Sequence, residues 1–251
     1  MSRWTKTKAK AKERIRDFIG IYRSGHHDYV IRGGKVIPND NIVGQSNLAR
    51  FTVMAPVWND AVAGRRVLDI GANLGFFSLK ALEHGASHVT SLELLPELWK
   101  RLRRIKARHR RWIGDRWTIK PGDFFDDLVE CDTVFMFGIT YHMVRHGMNR
   151  KVLPEEGAYR ELFARISKLA SHGVLAEWGP PKRPSFEPSP YWDQFSYERF
   201  RQALSEFFPH ERYLGRHEYY GSGREDPIRH VHYATKVLLS VDASGPERTG
   251  R

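Results

Sequence analysis

The chain has 251 residues, of which 41% are hydrophobic and 12% aromatic, which suits one core of ordinary size and excludes a globally disordered chain. Its 41 lysines and arginines exceed its 29 aspartates and glutamates, and the formal net charge of +12 favours polyanionic partners or attraction of an acidic substrate. The single cysteine, Cys131, excludes an intrachain disulfide framework and argues against a cysteine-based zinc site. With no apolar run of about 18 residues and no secretory signal, we expect no membrane span and a cytoplasmic location.

The N-terminal part of the chain is basic and only weakly patterned. Residues 1–16 hold seven lysines or arginines and one glutamate, which is typical of a solvated arm or tail. Two short extended pieces are predicted at 28–32 and 35–37 around a glycine turn, followed by a helix from Ser46, as its N-cap, to Asn59. We therefore predict a basic, helical N-terminal extension over residues 1–60, a main domain over 61–241 and a disordered tail over 242–251.

From residue 61 onward, strands and helices alternate regularly. Strands are predicted at 66–70, 88–94, 117–120, 132–137 and 174–178, with helices at 74–83, 96–112, 159–170 and 197–208. An antiparallel pair, 212–218 with 232–241, is predicted to close the sheet. This alternation favours an α/β fold, a doubly wound and mainly parallel sheet with helices on both faces. Residues 143–157 and 179–193 follow the carboxyl ends of strands, where such sheets bind ligands, and are candidate substrate lids.

The strongest functional signal is the segment Val67–Gly75, which places a glycine turn between a buried strand and a helix. Gly71 permits a backbone conformation closed to other residues and a close approach of a ligand, and Asn73 tolerates left-handed geometry better than most residues. The helix start that follows offers free N–H groups to a ligand carboxylate or phosphate. The segment lacks the second and third glycines of the dinucleotide-binding fingerprint, which argues against a nicotinamide cofactor.

Acidic residues follow the next two predicted strands. Glu93 stands about 20 positions after Gly71, where an acidic residue is suited to bind the hydroxyls of a ribose. Asp123 follows the third strand and is a candidate acceptor for an adenine amino group, with Phe124 packing on the ring. Each residue alone is a weak signal, but together, at successive strand ends, they indicate a nucleoside-containing ligand.

These residues carry a family resemblance. Residues from about 65 to 241 resemble the class I S-adenosylmethionine-dependent methyltransferases: 67–75 matches their glycine-rich motif, with Asn73 where glycine is usual, and 232–236 resembles their reversed last strand. The resemblance implies a Rossmann-like methyltransferase fold and S-adenosylmethionine as the cofactor. It also implies cofactor contacts from the turn and the strand ends, namely Asp69, Gly71, Ala72, Asn73, Gly75, Glu93, Leu94, Asp123, Phe124 and Gly138.

The end of the fourth strand, Gly138-Ile139-Thr140-Tyr141-His142, faces the transferred methyl group in this family. It is similar to the same segment of the tRNA wobble-uridine carboxymethyltransferases and related small-molecule methyltransferases. His142 is the candidate general base because imidazole titrates near neutral pH, with a structural histidine as the alternative. Tyr141 either orients the acceptor or packs. Glu177, at the end of the fifth strand, is a second candidate base or substrate ligand, or else a contact to a lid.

The sequence predicts methyl transfer to an oxygen or nitrogen of a small acceptor, and the net charge is compatible with an acidic one. Asp132 lies at the start of its strand, so the strand end lacks the carboxylates of a metal-dependent methyltransferase and we expect no metal. One alternative is a tRNA-modifying methyl- or carboxymethyltransferase, suggested by the basic arm and by eight lysines or arginines between Lys100 and Arg111. Carboxymethyl transfer would need a further cation near the methyl position, which the sequence alone does not place. A non-catalytic S-adenosylmethionine-binding scaffold is the other alternative.

Overall fold

The computed structural model describes residues 29–127, 129–179, 195–217 and 229–236. A hairpin of β1 (Tyr29–Arg32) and β2 (Lys35–Pro38) comes first. Seven further strands form one sheet: β3 (Arg66–Ile70), β4 (His88–Glu93), β5 (Trp117–Pro121), β6 (Cys131–Met136), β7 (Ala170–Trp178), β8 (His210–His217) and β9 (Arg229–Thr235). Their order across the sheet is β5-β4-β3-β6-β7-β9-β8. Six strands run in one direction and only β9 is reversed, pairing antiparallel with β7 and β8.

Seven helices of the described ranges cover the two faces of this sheet. One face carries α1 (Ile42–Val62), α2 (Phe76–Glu83), α3 (Pro96–Arg108) and α4 (Arg110–Ile113). The other carries α5 (Thr140–Asn149), α6 (Ala158–Leu169) and α7 (Tyr197–Phe207). A hydrophobic core lies on each face of the sheet, and successive residues of a strand point into opposite cores. Phe135 packs under α1 and α2, whereas Val134 and Met136 pack under α5 and α6. The predicted α/β fold with a reversed last strand is confirmed.

The strand order places a ligand-binding crevice between β3 and β6. From β3 the chain moves outward to β4 and β5, and it then returns to β6 on the opposite side of β3. Helices on the two sides therefore diverge at the carboxyl ends of β3 and β6, which is the point where open α/β sheets bind ligands. The glycine turn leaves β3 at this point, and the segment beginning at Phe137 leaves β6 there.

The first long helix differs from its prediction. It begins at Ile42 rather than after Ser46, because the side chain of Asn41 caps it by accepting a hydrogen bond from the Gly44 amide at 2.8 Å. Ser46 is buried inside the helix. The helix continues to Val62, so the expected boundary at residue 60 falls within its last turn. Trp58, in its apolar stripe, packs in the same core as the strands.

The segment after β6 differs from its prediction, in which 138–142 form the end of the strand and 143–157 a candidate lid with no helix assigned. The strand ends at Met136, and residues 140–149 form α5, whose Met143 and Val144 are buried against the neighbouring helices. Much of the candidate lid 143–157 is therefore helical. Of the second candidate lid, 179–193, only residue 179 lies within the described part of the chain, and the arm 1–16 and the tail 242–251 lie outside it.

Smaller differences concern the ends of elements. The fifth strand of the sheet in chain order, β7, begins at Ala170 rather than Val174, and the closing pair begins earlier than predicted, at His210 and Arg229. In each case the additional residues lengthen a strand that the sequence already predicted. Within the described ranges, no helix has both the length and the apolar character that crossing a membrane requires.

Candidate functional site

The glycine turn after β3 is left-handed at three positions. The φ angles are +66° at Gly71, +53° at Asn73 and +80° at Gly75. A β-carbon at Gly71 would collide with the side chain of Ile139, and one at Gly75 would lie 2.8 Å from Cδ2 of Leu102. Backbone conformation and space thus both require glycine at these two positions, and the left-handed conformation confirms the prediction made for Gly71. Asn73 occupies the one left-handed position in the turn that is not glycine, which is the role expected of it.

A buried hydrogen-bond chain fastens this turn from below. The hydroxyl of Ser78, in α2, donates to Asp69 Oδ2 at 2.5 Å and lies 2.6 Å from the hydroxyl of Ser91, to which Trp117 Nε1 donates at 2.7 Å. Burial raises the pKa of Asp69 to about 7. Because Asp69 is only 4% exposed, it stabilises the conformation of the turn from the buried side, through its hydrogen bond with Ser78.

Glu93, at the end of β4, holds the turn from the side. Its Oε2 accepts a hydrogen bond from the Asn73 amide and its Oε1 accepts one from the Leu95 amide, both at 2.9 Å. Burial raises the pKa of this carboxyl. Each carboxylate oxygen has lone-pair capacity for more than one hydrogen bond, so these backbone contacts orient the group without saturating it. The neighbouring Leu94 is 52% exposed and offers an apolar surface beside it.

The second predicted acid, Asp123, is bound to α5. Its Oδ1 accepts from the Phe125 amide at 3.0 Å, and its Oδ2 contacts His146 Nε2 at 2.5 Å and Arg150 Nη1 at 2.7 Å. Burial alone would raise the pKa of Asp123, but these contacts hold it below its ordinary value. Phe124 is buried in the core beneath α5. The two predicted adenine-side residues therefore also join the β5–β6 connection to α5.

The turn after β6 lies between the glycine turn and a pair of arginines. Gly138 has φ of +65°, and the next residue, Ile139, packs against Gly71. A β-carbon at Gly138 would lie 3.4 Å from Arg229 Nη1 and 3.8 Å from Arg50 Nη2. Gly138 was predicted as a cofactor contact, and the structure places it at the crevice between β3 and β6. The two guanidinium groups on its far side were not predicted.

Both arginines pair with Glu177, whose side chain is fully buried at the end of β7. Arg229 Nη1 donates to Glu177 Oε1 at 2.7 Å, Arg50 Nε pairs with Oε2, and His217 Nε2 lies 3.3 Å from Oε2. Burial would raise the pKa of Glu177, but the charges of Arg50 and Arg229 and the hydrogen bond from His217 hold it well below its ordinary value. A carboxylate stabilised in this way is a weak proton acceptor. We call these four residues the arginine cluster.

The two candidate catalytic residues of the Tyr-His pair lie in the first turn of α5. His142 is exposed, and Tyr141 is half-buried, with its ring 5.1 Å from the ring of Phe195 in an edge-on contact. Burial raises the pKa of the Tyr141 hydroxyl. Tyr141 therefore packs, whereas His142 remains open to solvent. Among the described residues, no group of three or more histidines, cysteines or acids is arranged to hold a metal ion.

The hairpin β1–β2 supports the site in a way that the sequence did not reveal. The hydroxyl of Tyr29 donates to the carbonyl of Leu74, within the glycine turn, at 2.6 Å. The Val36 amide donates to Glu83, at the end of α2, at 2.9 Å. The hairpin thus clamps both ends of the helix that follows the turn. A tyrosine in a weakly patterned segment carries no sequence signal for such a contact.

Comparison with known proteins gives a fold and no closer relationship. No family model matches the chain, and no curated protein matches it by sequence. Magnesium protoporphyrin IX methyltransferase (ChlM) from Synechocystis PCC 6803, solved with bound SAH, is similar with a TM-score of 0.56 and 16% identity over 89% of this chain and 98% of that one. The bifunctional kinase-methyltransferase WbdD is similar with a TM-score of 0.50 and 17% identity over 82% of this chain and 42% of that one. Trm5b from Pyrococcus abyssi is similar with a TM-score of 0.51 and 15% identity over 82% of this chain and 55% of that one. The fold is therefore the Rossmann-like fold of these methyltransferase structures.

Proposed function

We propose that the chain binds S-adenosylmethionine at the glycine turn and transfers its methyl group to an oxygen or nitrogen of a small acceptor. The observation that carries the proposal is the hydrogen bond from the Asn73 amide to Glu93. It joins the glycine turn, which lies where the strand order reverses, to a carboxylate at the position suited to bind ribose hydroxyls. The likeness of fold to ChlM, which was solved with bound SAH, supports the same cofactor class.

The residues present fit this cofactor. A β-carbon at Gly71 would collide with Ile139, so glycine there lets the turn after β3 and the turn after β6 pack together as the two walls of the crevice. The side chain of Glu93 would hold the ribose hydroxyls, and the exposed Leu94 would cover one face of the adenine. The first amides of α2 have no side-chain cap in the described part of the chain, so they would receive the carboxylate of the cofactor.

When bound, S-adenosylmethionine would supply a sulfonium methyl group whose carbon a nucleophile attacks in line, with the electron pair of the broken carbon–sulfur bond remaining on sulfur. The chain itself has to orient the acceptor, exclude water and receive a proton. Gly138 and Ile139 line the crevice on the side of β6, so the acceptor would approach over them. His142, one helical turn further on and open to solvent, would take the proton from a hydroxyl or ammonium acceptor.

Glu177 has a different role in this proposal from the one that the sequence suggested. Its pairing with Arg50 and Arg229 lowers its proton affinity, which disfavours a general base. Instead, it positions two guanidinium groups within about 4 Å of the place where a β-carbon of Gly138 would stand. Guanidinium groups at this position favour an acceptor that carries a carboxylate or phosphate near its reacting atom.

The same arginines favour a second candidate function, carboxymethyl transfer from a donor that carries a carboxylate on the transferred carbon. That chemistry needs a cation beside the transferred group, and Arg50 and Arg229 lie beside Gly138. The two functions differ in a binding measurement. Titration with S-adenosylmethionine and with its carboxylated analogue should show at least tenfold preference for the analogue, lost in Arg229→Met, if carboxymethyl transfer is correct. Equal affinities for the two compounds would mean that the arginines bind the acceptor and not the transferred group.

The proposed methyl transfer is tested by titration with S-adenosylhomocysteine followed by an acceptor screen. Micromolar binding together with methylation of an acceptor would support the proposal. Binding without turnover on any acceptor would favour the non-catalytic scaffold. Absence of S-adenosylhomocysteine binding would contradict both the methyltransferase and the non-catalytic scaffold.

A further inference from the structure

The second half of α3 and the short α4 form a groove lined by positively charged side chains, which we call the α3–α4 groove. Its lining includes Arg103, Lys106, Arg110 and Arg111, with Asp115 as the one acid among the lining residues. Arg103 and Lys106 are three residues apart in α3 and so lie on one side of that helix, and Arg110 and Arg111 are adjacent in α4. The groove therefore concentrates like charge on one part of the surface.

The fold does not require this arrangement. Leu98 and Leu102 are the buried residues that dock α3 on the sheet, while Arg103, Arg110 and Arg111 are exposed. Like charges at helical neighbours destabilise a helix by about 0.2–0.5 kcal/mol per pair, so the arrangement opposes folding slightly. The guanidinium of Arg103 lies 4.5 Å from the Trp99 ring, which restrains its position at the groove. The three arginines thus remain available to a partner, whereas the Lys106 ammonium donates to the backbone carbonyl of Trp117.

We propose that the α3–α4 groove binds the phosphate backbone of a nucleic acid duplex. Three of its four cations are arginines, whose planar guanidinium groups suit phosphate oxygens. Of the lining residues only Ala107 is apolar, whereas a helix that lies on a membrane also inserts large apolar side chains. A cationic lining without large apolar residues therefore favours a phosphate backbone over a lipid surface.

The position of the groove makes it a docking surface rather than the acceptor pocket. The helix α3 begins beside Glu93, at the carboxyl ends of the strands, and runs back for 13 residues, a length of about 20 Å. The groove is formed where this helix ends and just before β5 begins, at the opposite edge of the sheet. A bound duplex would therefore be held at a distance from the glycine turn. This inference does not depend on the proposed methyl transfer.

The test is fluorescence anisotropy with the full chain and labelled DNA and RNA duplexes of about 20 base pairs, between about 50 and 200 mM salt. The variant Arg103→Gln/Arg110→Gln/Arg111→Gln removes three groove cations. The matched control Lys168→Gln/Arg199→Gln/Arg212→Gln removes the same charge from exposed positions on other elements. Because each neutralised phosphate contributes about −0.9 to the slope of log affinity against log salt, the groove variant should reduce the magnitude of the slope by about 2.7.

The expected result is binding of either duplex that the groove variant weakens at least about tenfold while the control variant changes it far less. Equal losses in the two variants, or no binding of either duplex, would overturn the inference. Groove-dependent binding to phosphatidylserine–phosphatidylcholine vesicles, without groove-dependent binding of a duplex, would overturn it in favour of a membrane surface. Affinity for S-adenosylhomocysteine, measured on the same samples, should be unchanged by the groove variant, so that failure of the proposed function is recognised separately.

Discussion

Replacing Gly71 by alanine tests whether the glycine turn and the β6 turn are packed together as the structure shows. The residue has φ of +66°, and its β-carbon would collide with Cδ1 of Ile139. A left-handed conformation costs an L-residue about 1–2 kcal/mol, and forcing an extra carbon into a packed site costs about 1–3 kcal/mol. We therefore expect Gly71→Ala to lower the free energy of unfolding by roughly 2–5 kcal/mol.

The two contributions can be separated, because only the second depends on Ile139. The change Ile139→Val removes Cδ1, the colliding atom, and by itself should cost about 0.5–1.5 kcal/mol. In the double variant most of the steric part of the Gly71→Ala penalty should be relieved, since only the contact with Cγ1 of residue 139 at 3.1 Å stays tight, while the backbone part remains. Urea denaturation of the four proteins should thus give a favourable coupling energy of about 1–2 kcal/mol.

Two results would refute this reasoning. Gly71→Ala within about 0.5 kcal/mol of the wild type would mean that the turn is neither left-handed nor crowded. Strict additivity of the two changes would mean that Ile139 does not lie over Gly71, and the proposed crevice would then lose one of its walls. Affinity for S-adenosylhomocysteine, measured in parallel, should fall in Gly71→Ala and recover in part in the double variant.

Three further predictions concern the site. Glu93→Gln should weaken binding of S-adenosylhomocysteine about tenfold to a hundredfold in calorimetry, because it removes a charged acceptor that two backbone amides orient. His142→Ala should leave that affinity unchanged and reduce turnover by about 10²–10⁴ if the imidazole is the base. Glu177→Gln should lower the free energy of unfolding at pH 7 by about 3–5 kcal/mol, because it leaves Arg50 and Arg229 without their shared carboxylate. The pKa of Glu177 is depressed in the folded state, so its stabilising effect is present above its unfolded pKa of about 4.3 and is lost as the pH falls below that value.

Each of these predictions has a contrary outcome. Unchanged affinity in Glu93→Gln would remove Glu93 from the cofactor site, and full activity in His142→Ala would make that histidine structural. For Glu177, urea denaturation should give the same difference between wild type and variant at pH 7 and 5 and a smaller difference at about pH 3.5. A difference that stays constant or grows between pH 5 and about 3.5 would contradict the assignment of an ionised carboxylate in the arginine cluster.

The sheet and the glycine turn could be predicted because their signals are local. The strand Arg66–Ile70 is a short apolar run that ends at a glycine, and its neighbours repeat the pattern at regular spacing. The helix α5 could not be predicted in the same way. Its sequence mixes histidine, arginine, glycine and methionine, and Met143 and Val144 become a recognisable apolar stripe only once the neighbouring helices are in place.

The arginine cluster shows a second limit of sequence reasoning. Arg50, Glu177, His217 and Arg229 come from four distant elements, and no spacing along the chain connects them. A single arginine in a basic protein is indistinguishable from a solvated surface residue until folding buries it. For the same reason Asp123 matched a strand-end pattern, while its contacts with His146 and Arg150 depended on a helix that the sequence did not predict.

The most direct test of the account is calorimetric titration of the full chain with S-adenosylhomocysteine and, in parallel, with NADH. We expect micromolar binding of S-adenosylhomocysteine and no binding of NADH, because the turn Gly71–Gly75 and Glu93 suit a single nucleoside and lack the glycines of a dinucleotide site. Binding of NADH, or of neither compound, would contradict the claim that this turn is an S-adenosylmethionine site.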